Sequence, residues 1–285
     1  MKEKLERLRS RLPNMQPTRL ETSDFLWDLS EEDIIRTLVR NEHSGLLFGR
    51  FAPEKVLEEL EEVSILSALR RRGYHHFEAY CGSAPGMPPL TLFEDRFTVF
   101  GTAEGQRYLL VELKTHWGTL LFPPDGTSIR ALIWDWVSFQ HPLGQFTPDR
   151  PPLPGQEHPG LGIFRRSLDM LLNWSKRMEL DAVVNIPEYF HNGVLYSSHF
   201  HFVTPQLEGR LKALCRDLLP RGLVAASWAL AEGRVLDHEG EVVRWAPAEQ
   251  VFAMQGKVAD YFDSPAYQET VAETTASLSY HYAEE

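Results

Sequence analysis

The run at residues 129–139, IRALIWDWVSF, constrains the fold most. It is apolar nearly throughout and lacks the alternation of a strand with one wet face. It therefore reads as a strand covered on both faces, which requires layers on either side of a sheet. Immediately after it come six prolines, at 142, 148, 151, 152, 154 and 159. A stiff connection of that length inside a compact domain is more often functional than incidental. Beyond the prolines, Leu161, Phe164, Leu168, Leu171 and Ser175 share one helical face.

The flanking sequence fills in an α/β chain. Residues 2–12 predict a charged helix ended by Pro13, and Ser30–Asp33 predicts a capped start for a helix carrying Ile34, Ile35, Leu38 and Val39. Pro53 opens a helix through Val56, Leu60 and Val63 that runs to Arg72 and stops at Gly73. CGSAPGMPP at residues 81–89 marks a boundary. A meander follows: RFTVFG at 96–101, a turn at 102–105, a strand at 106–116 broken at Trp117-Gly118, and the turn Pro124–Thr127 before the apolar run. After the proline segment come a strand at 181–187, a short helix at 188–197, a strand at 199–204 and a helix carrying Leu207, Leu211, Leu214 and Leu218. A further helix at 223–231, a hairpin around Asp237–Gly240 and a helix from Pro265 complete the chain.

Composition excludes several classes. The chain has 285 residues, of which 43% are hydrophobic and 24% charged. That is enough apolar material to offset the entropy of ordering, and the length suits one large domain or two small ones. Lys plus Arg is 29 against 40 Asp plus Glu, a net charge of −11. An acidic balance argues against nucleic-acid binding, which wants a basic face. Cys81 and Cys215 cannot make a disulfide framework or a zinc site, which points to a reducing compartment. The charged N-terminus lacks an apolar signal core, and no stretch is long enough for a membrane span. The expected setting is cytoplasmic, without membrane or nucleic-acid partners.

The sharpest local motif is HPGLGIFRR at residues 158–166. Two glycines open an amphipathic helix directly after a loop. Glycine lets backbone amides approach a ligand, and a helix N-terminus supplies unpaired N–H groups with partial positive charge. Gly160, Leu161, Gly162, Ile163 and Phe164, with Arg165 and Arg166 in the first turn, predict a cradle for phosphate or pyrophosphate. A second possibility lies in the histidines. His199 and His201 alternate with Phe200 and Phe202, so both share one strand face and could chelate a metal with His191, His158 or Glu188. The same pattern fits an ordinary half-exposed strand, and no metal is expected.

Three meander strands, a glycine-opened helix, a strand, a short helix with Leu195-Tyr196 and a strand together resemble the GNAT acetyltransferase superfamily. The resemblance covers residues 96–204, and residues 160–203 are similar to its central motif. It implies a GNAT-like mixed sheet flanked by helices at 91–205, with a helical N-terminal extension at 1–90 and an α+β addition at 206–285. It implies that the helix at 160–178 binds the pyrophosphate of acetyl-CoA or another acyl-CoA. It further implies that Tyr196 protonates the leaving thiolate, and that a small-molecule or protein amine accepts the acyl group. Glu157 stands where the family usually has Gln or Arg. Acyl transfer to an amine also needs a base, and Asp135, between Trp134 and Trp136, is the candidate if burial beside the indoles raises its pKa. The terminal additions could mediate a homodimer. The remaining alternative is a non-catalytic binding protein, with Trp117, Trp134, Trp136, Tyr189 and Phe190 lining an apolar cavity.

Overall fold

Sequential antiparallel pairing builds one edge of the sheet and a crossover builds the other. The computed structural model describes residues 45–88, 95–123, 125–178, 180–254 and 256–283; the helices expected at 2–12 and around 34–39 lie outside them. Helix α1 (Pro53–Glu62) starts at a proline as expected. It does not continue to Arg72, because Ser64 adopts a left-handed conformation (φ 61°) and starts a separate α2 (Ile65–Arg70). Strand β1 (His75–Cys81) then pairs with β2 (Asp95–Ala103), and β2 with β3 (Gln106–Phe122). Glu104 and Gly105, at φ 52° and 73°, make the tight turn between β2 and β3. No break occurs at Trp117-Gly118, since both residues stay paired with β4 (Thr127–Phe139).

From β4 the chain crosses over through α3 (Phe164–Lys176) to β5 (Ala182–Asn185), the pair being parallel. All four β5 residues are buried, and burying a valine side chain is worth about 1.5–3 kcal/mol. There follow α4 (Phe190–Tyr196), β6 (His201–Phe202), α5 (Pro205–Leu218), a 3₁₀ turn (Leu219–Arg221), α6 (Leu223–Glu232), β7 (Val235–Asp237), β8 (Gln250–Ala253), α7 (Gly256–Asp263), α8 (Pro265–Ser277) and β9 (Tyr280–Tyr282). The main sheet runs β1-β2-β3-β4-β5-β8-β6, while β7 and β9 form a separate ladder. The protein is thus a mixed α/β structure whose large, mostly antiparallel sheet is flanked by helices.

The sheet crosses both boundaries drawn from sequence. β1 belongs to the segment before 90, and β8 enters the sheet from the segment after 206, between β5 and β6. The expected strand at 199–204 contracts to His201–Phe202. On one face α1, α2 and α3 bury Leu60, Leu69, Leu168 and Trp174 against Leu113, Leu132 and Val183. On the other, Val258, Phe262, Tyr267 and Val271 of α7 and α8 cover Leu120, Ile133 and Val184. Helices α5 and α6 form a third cluster with Phe190 and Phe202.

Glu59 of α1 ties this layer to α3. It accepts a hydrogen bond from the Trp174 indole and a pair of bonds from Arg177, at 2.8 and 3.2 Å. The Arg177 bonds, aided by Trp174, hold the Glu59 carboxyl below the usual glutamate range against the opposing effect of burial. A depressed folded-state pKa means stability present at neutral pH and lost as pH falls through that pKa. Glu59→Gln should therefore cost about 1 kcal/mol at pH 7. In denaturant titrations across pH, the gap from the parent protein should close below about pH 4, under the ordinary glutamate pKa.

Candidate functional site

The candidate site is a fork in the sheet. β4 and β5 pair from Ala131↔Ala182 to Trp134↔Asn185 and then separate. β5 ends there, and Ile186-Pro187 leads the chain away; proline has no N–H to continue a ladder. β4 runs on to Phe139 along β3. Its register slips by one between Thr115↔Trp134 and Lys114↔Trp136, so Asp135 is an extra residue in a β-bulge. A bulge bends its strand and sharpens the local twist, swinging the end of β4 away from β5. Between Asp135 and Ser138 the outer edge of β4 has no strand partner among the described residues. The gap closes again where the Leu161 amide donates to the Phe139 carbonyl (3.3 Å) and Gln140 bridges Gly160.

The proline-rich segment walls this gap into a cleft of about 620 Å³. Several bonds hold the wall. The Trp228 indole donates to the Pro152 carbonyl (2.9 Å), His141 N–H to the Pro159 carbonyl (2.8 Å), and Arg150 to the Gly160 carbonyl (3.3 Å). Gly155, at φ 76°, lets the Tyr189 ring lie against its backbone; a Cβ there would come within 2.6 Å of the ring. Tyr189 stacks in turn on His191, with ring centroids 5.6 Å apart.

Tyr196, the last residue of α4, lines the cleft. Its ring packs against Phe164 (5.2 Å), Phe200 (5.5 Å) and Trp134 (6.4 Å). Burial raises its pKa, so the phenol keeps its proton at neutral pH. His191 is buried in the same wall, and burial pushes its pKa down to about 4, leaving a neutral imidazole. Its Nδ1, the Trp134 Nε1 and both amide atoms of Asn185 have no hydrogen-bond partner among the described residues, and all three residues line the cleft. Buried polar atoms are nearly always paired in folded proteins, so this concentration marks a place completed by a ligand or by water.

Asp135 also lines the cleft, but not buried between indoles as expected. Its side chain is 40% exposed, and Oδ2 lies 2.7 Å from His116 Nδ1. The physical reason is strand alternation, which sets Asp135 on the face opposite Trp134, where it meets His116. Trp136, paired with Lys114, lies on the Asp135 side too.

The glycine motif does not open α3 directly. Helix α3 begins at Phe164, not at 160. Leu161 and Ile163 are buried in the core, and the Leu161 amide is taken by Phe139, so it cannot bind an anion. Gly160 lines the cleft. Gly162 adopts φ 67°, and no side chain caps α3. Phe164 packs on Tyr196, while Arg165 and Arg166 are exposed in the first turn. The corner is cationic for a further reason: an Arg72 guanidinium nitrogen lies 3.1 Å from where a Gly162 Cβ would stand. Burial lowers the Arg72 pKa, and Arg150 and Arg71 repel it further. Burial, then Arg72 and Arg150, also push His141 below the ordinary imidazole range. Among the described residues no carboxylate lies within ion-pair distance of Arg72 or Arg150.

The histidine pair does not converge. The His199 ring contacts Phe252 and the His201 ring contacts Phe262, on opposite faces of the sheet, and His201 lies 3.4 Å from Glu208. Among the described residues no group of three or more His, Cys, Asp or Glu could hold a metal ion. Of the aromatics expected in a cavity, Trp134, Trp136 and Tyr189 line the cleft, whereas Phe190 is buried with α5 and α6 and Trp117 packs on the α1–α3 face. Asn185, His116, Arg72 and Arg150 did not stand out in the sequence. Only Asn185 carried a signal, as the one amide in the buried run DAVVNIP.

No family model matches the chain, and comparisons with curated proteins and with solved structures give no match. No helix among the described residues is long and apolar enough to cross a membrane.

An unpaired buried amide costs stability, whereas an apolar side chain of similar shape does not. Asn185→Leu should leave the melting temperature unchanged or raise it, by up to about 1 kcal/mol of stability. A clear fall in differential scanning calorimetry would show that Asn185 is already satisfied within the fold.

Proposed function

We propose that the protein is an N-acyltransferase of GNAT type, moving an acyl group from an acyl-CoA to an amine. The observation that carries this reading is the fork: a parallel strand pair, opened by a bulge, with a protonated tyrosine on one wall and a cationic helix start at one end. The open edge of β4 offers backbone groups to an extended chain that bears amides, as pantetheine does. The amides from Gly162 to Arg166, with Arg72 and Arg150 beside them, suit a pyrophosphate. The sheet order and the α3 crossover are consistent with the same reading.

The chemistry divides between the two faces. The acyl group arrives as a thioester, which supplies an electrophilic carbon and a thiolate leaving group. The exposed Asp135 carboxylate, held in place by His116, passes a proton from the acceptor's ammonium to solvent. The freed amine attacks the thioester carbonyl, the new C–N bond forms, and the C–S bond breaks. Tyr196 delivers its proton to the departing sulfur and is reprotonated by the second proton that the attacking nitrogen sheds as the amide forms.

Two measurements test this. Calorimetry should detect CoA binding to the parent protein and none to Gly162→Asp, because the new carboxylate lies against Arg72 and repels phosphate. Equal affinity in both proteins removes the phosphate corner. Tyr196→Phe keeps the ring that packs on Phe164 and Phe200, so its melting temperature should hold. Turnover should fall about 10²–10⁴-fold, mainly in kcat, as for loss of a positioned proton donor. A fall in melting temperature with turnover intact would make Tyr196 structural.

A further inference from the structure

Four buried polar atoms of the cleft wall lack partners, and their donor and acceptor roles match one chemical group. Trp134 Nε1 carries a hydrogen and can only donate. Asn185 offers a donating Nδ2 and an accepting Oδ1, and His191 offers Nδ1. None of the four has a hydrogen-bond partner among the described residues, and each of the three residues is only 4% exposed. All three line the cleft. We infer that the cleft binds a primary carboxamide, and that Trp134, Asn185 and His191 recognise it. This site does not depend on the acyltransferase reading.

Trp134 and Asn185 are partners across the parallel β4–β5 ladder, so their side chains stand on the same face of the sheet. His191 reaches the same cleft from α4. Its imidazole is neutral, because burial pushes its pKa down to about 4. A neutral ring accepts at one nitrogen, and with the proton on Nε2 that nitrogen is Nδ1. The wall then holds two donors and two acceptors. A primary carboxamide supplies the complement. Its two N–H groups donate to Asn185 Oδ1 and His191 Nδ1, and its carbonyl oxygen accepts from Asn185 Nδ2 and Trp134 Nε1. Since neither amide atom of Asn185 is partnered, the count holds whichever way that amide is turned.

Other groups leave part of the set unpaired, and a buried polar atom left without a partner is costly. A carboxylate only accepts, so Asn185 Oδ1 and His191 Nδ1 would stay unpaired. Among the described residues no Lys or Arg lines the cleft to offset its charge, whereas Asp135, Glu157 and Glu188 do line it. An ammonium only donates, so Trp134 Nε1 and Asn185 Nδ2 would stay unpaired. The Tyr196 ring lies 6.4 Å from that of Trp134, and the Tyr189 ring 5.6 Å from that of His191. These aromatic walls suit a flat apolar body behind the carboxamide. Water also gives two bonds and accepts two, so the test includes the outcome that water alone fills the site.

The test titrates the full chain at pH 7 by calorimetry with three probes. These are benzamide, acetophenone, in which a methyl replaces the amide nitrogen, and benzoate, which is charged and only accepts. CoA is titrated separately. The parent protein should bind benzamide at least about tenfold more tightly than either control, because two hydrogen bonds separate them. Asn185→Leu should lose most of the preference over acetophenone. Trp134→Phe keeps an aromatic ring against Tyr196 and Phe200 and removes one donor to the carbonyl. It should weaken benzamide and acetophenone alike, about two- to tenfold, and leave their ratio unchanged. The inference is overturned if benzamide does not bind, as when water alone fills the site, or binds no better than the controls. It is equally overturned if Asn185→Leu discriminates as the parent does, or melts clearly lower, since Asn185 would then be satisfied within the fold. Trp134→Phe is the check that leaves Asn185 in place, and unchanged benzamide affinity in it also overturns the site. Benzamide discrimination without CoA binding would retain the carboxamide site and remove the acyltransferase reading. CoA binding without discrimination would do the reverse.

Discussion

The parallel pairing of β4 with β5, and its end at Trp134↔Asn185, is the constraint on which the rest of the structure depends. A parallel neighbour is reached only by a crossover, which α3 provides. The crossover places the start of α3 at the same end of the sheet as the ends of β4 and β5, the usual position for ligand sites in sheets of this kind. Two local features then separate the strands. Pro187 stops β5 from continuing the ladder, and the Asp135 bulge bends β4. Without the bulge, Trp136 would lie on the Trp134 side and Asp135 alone on the other.

Once the strands part, the open edge must be protected from pairing with another chain. The proline-rich segment does this without filling the gap. Its prolines restrict its conformations, the Arg150–Gly160 and His141–Pro159 bonds close it on itself, and Trp228 of α6 ties it to the C-terminal helices. These bonds explain why a segment with little regular structure forms a wall. The same segment delivers Arg150 to the corner where the turn after α2 delivers Arg72, so the cationic charge beside Gly162 arises from chain segments far apart in sequence.

Legibility followed the range of the interactions. The apolar run at 129–139, the proline at the start of α1, the helix after the proline-rich segment and the C-terminal helix were readable because period, caps and turn residues act within a few positions. The sheet membership of β1 and β8 was not, since His75–Cys81 and Gln250–Ala253 carry no local mark of their neighbours. The left-handed Ser64 hid inside an otherwise continuous helical pattern. The site divides in the same way. Tyr196 and Gly160 stood out in the sequence by motif order, and both line the cleft. The loss of the Leu161 amide to Phe139, the turn of Asp135 toward His116 and the approach of Arg72 to Gly162 depend on register and crossover. Alternation alone put His199 and His201 on one face, but β6 begins only at His201, so His199 lies outside the strand and the rule does not apply to it.

Charge is sorted over a short distance in a chain whose net charge is −11. Arg72 and Arg150 gather at the α3 start, and Asp135, Glu157 and Glu188 line the cleft beside it. Mixed along one surface, these groups would pair with each other and be worth little. Kept apart, each set retains its field within a Debye length of about 8 Å. A single bound molecule with one charge sign would satisfy one set and be repelled by the other. Two reactants of opposite charge, as an acyl-CoA and an ammonium would be on the proposed function, satisfy both.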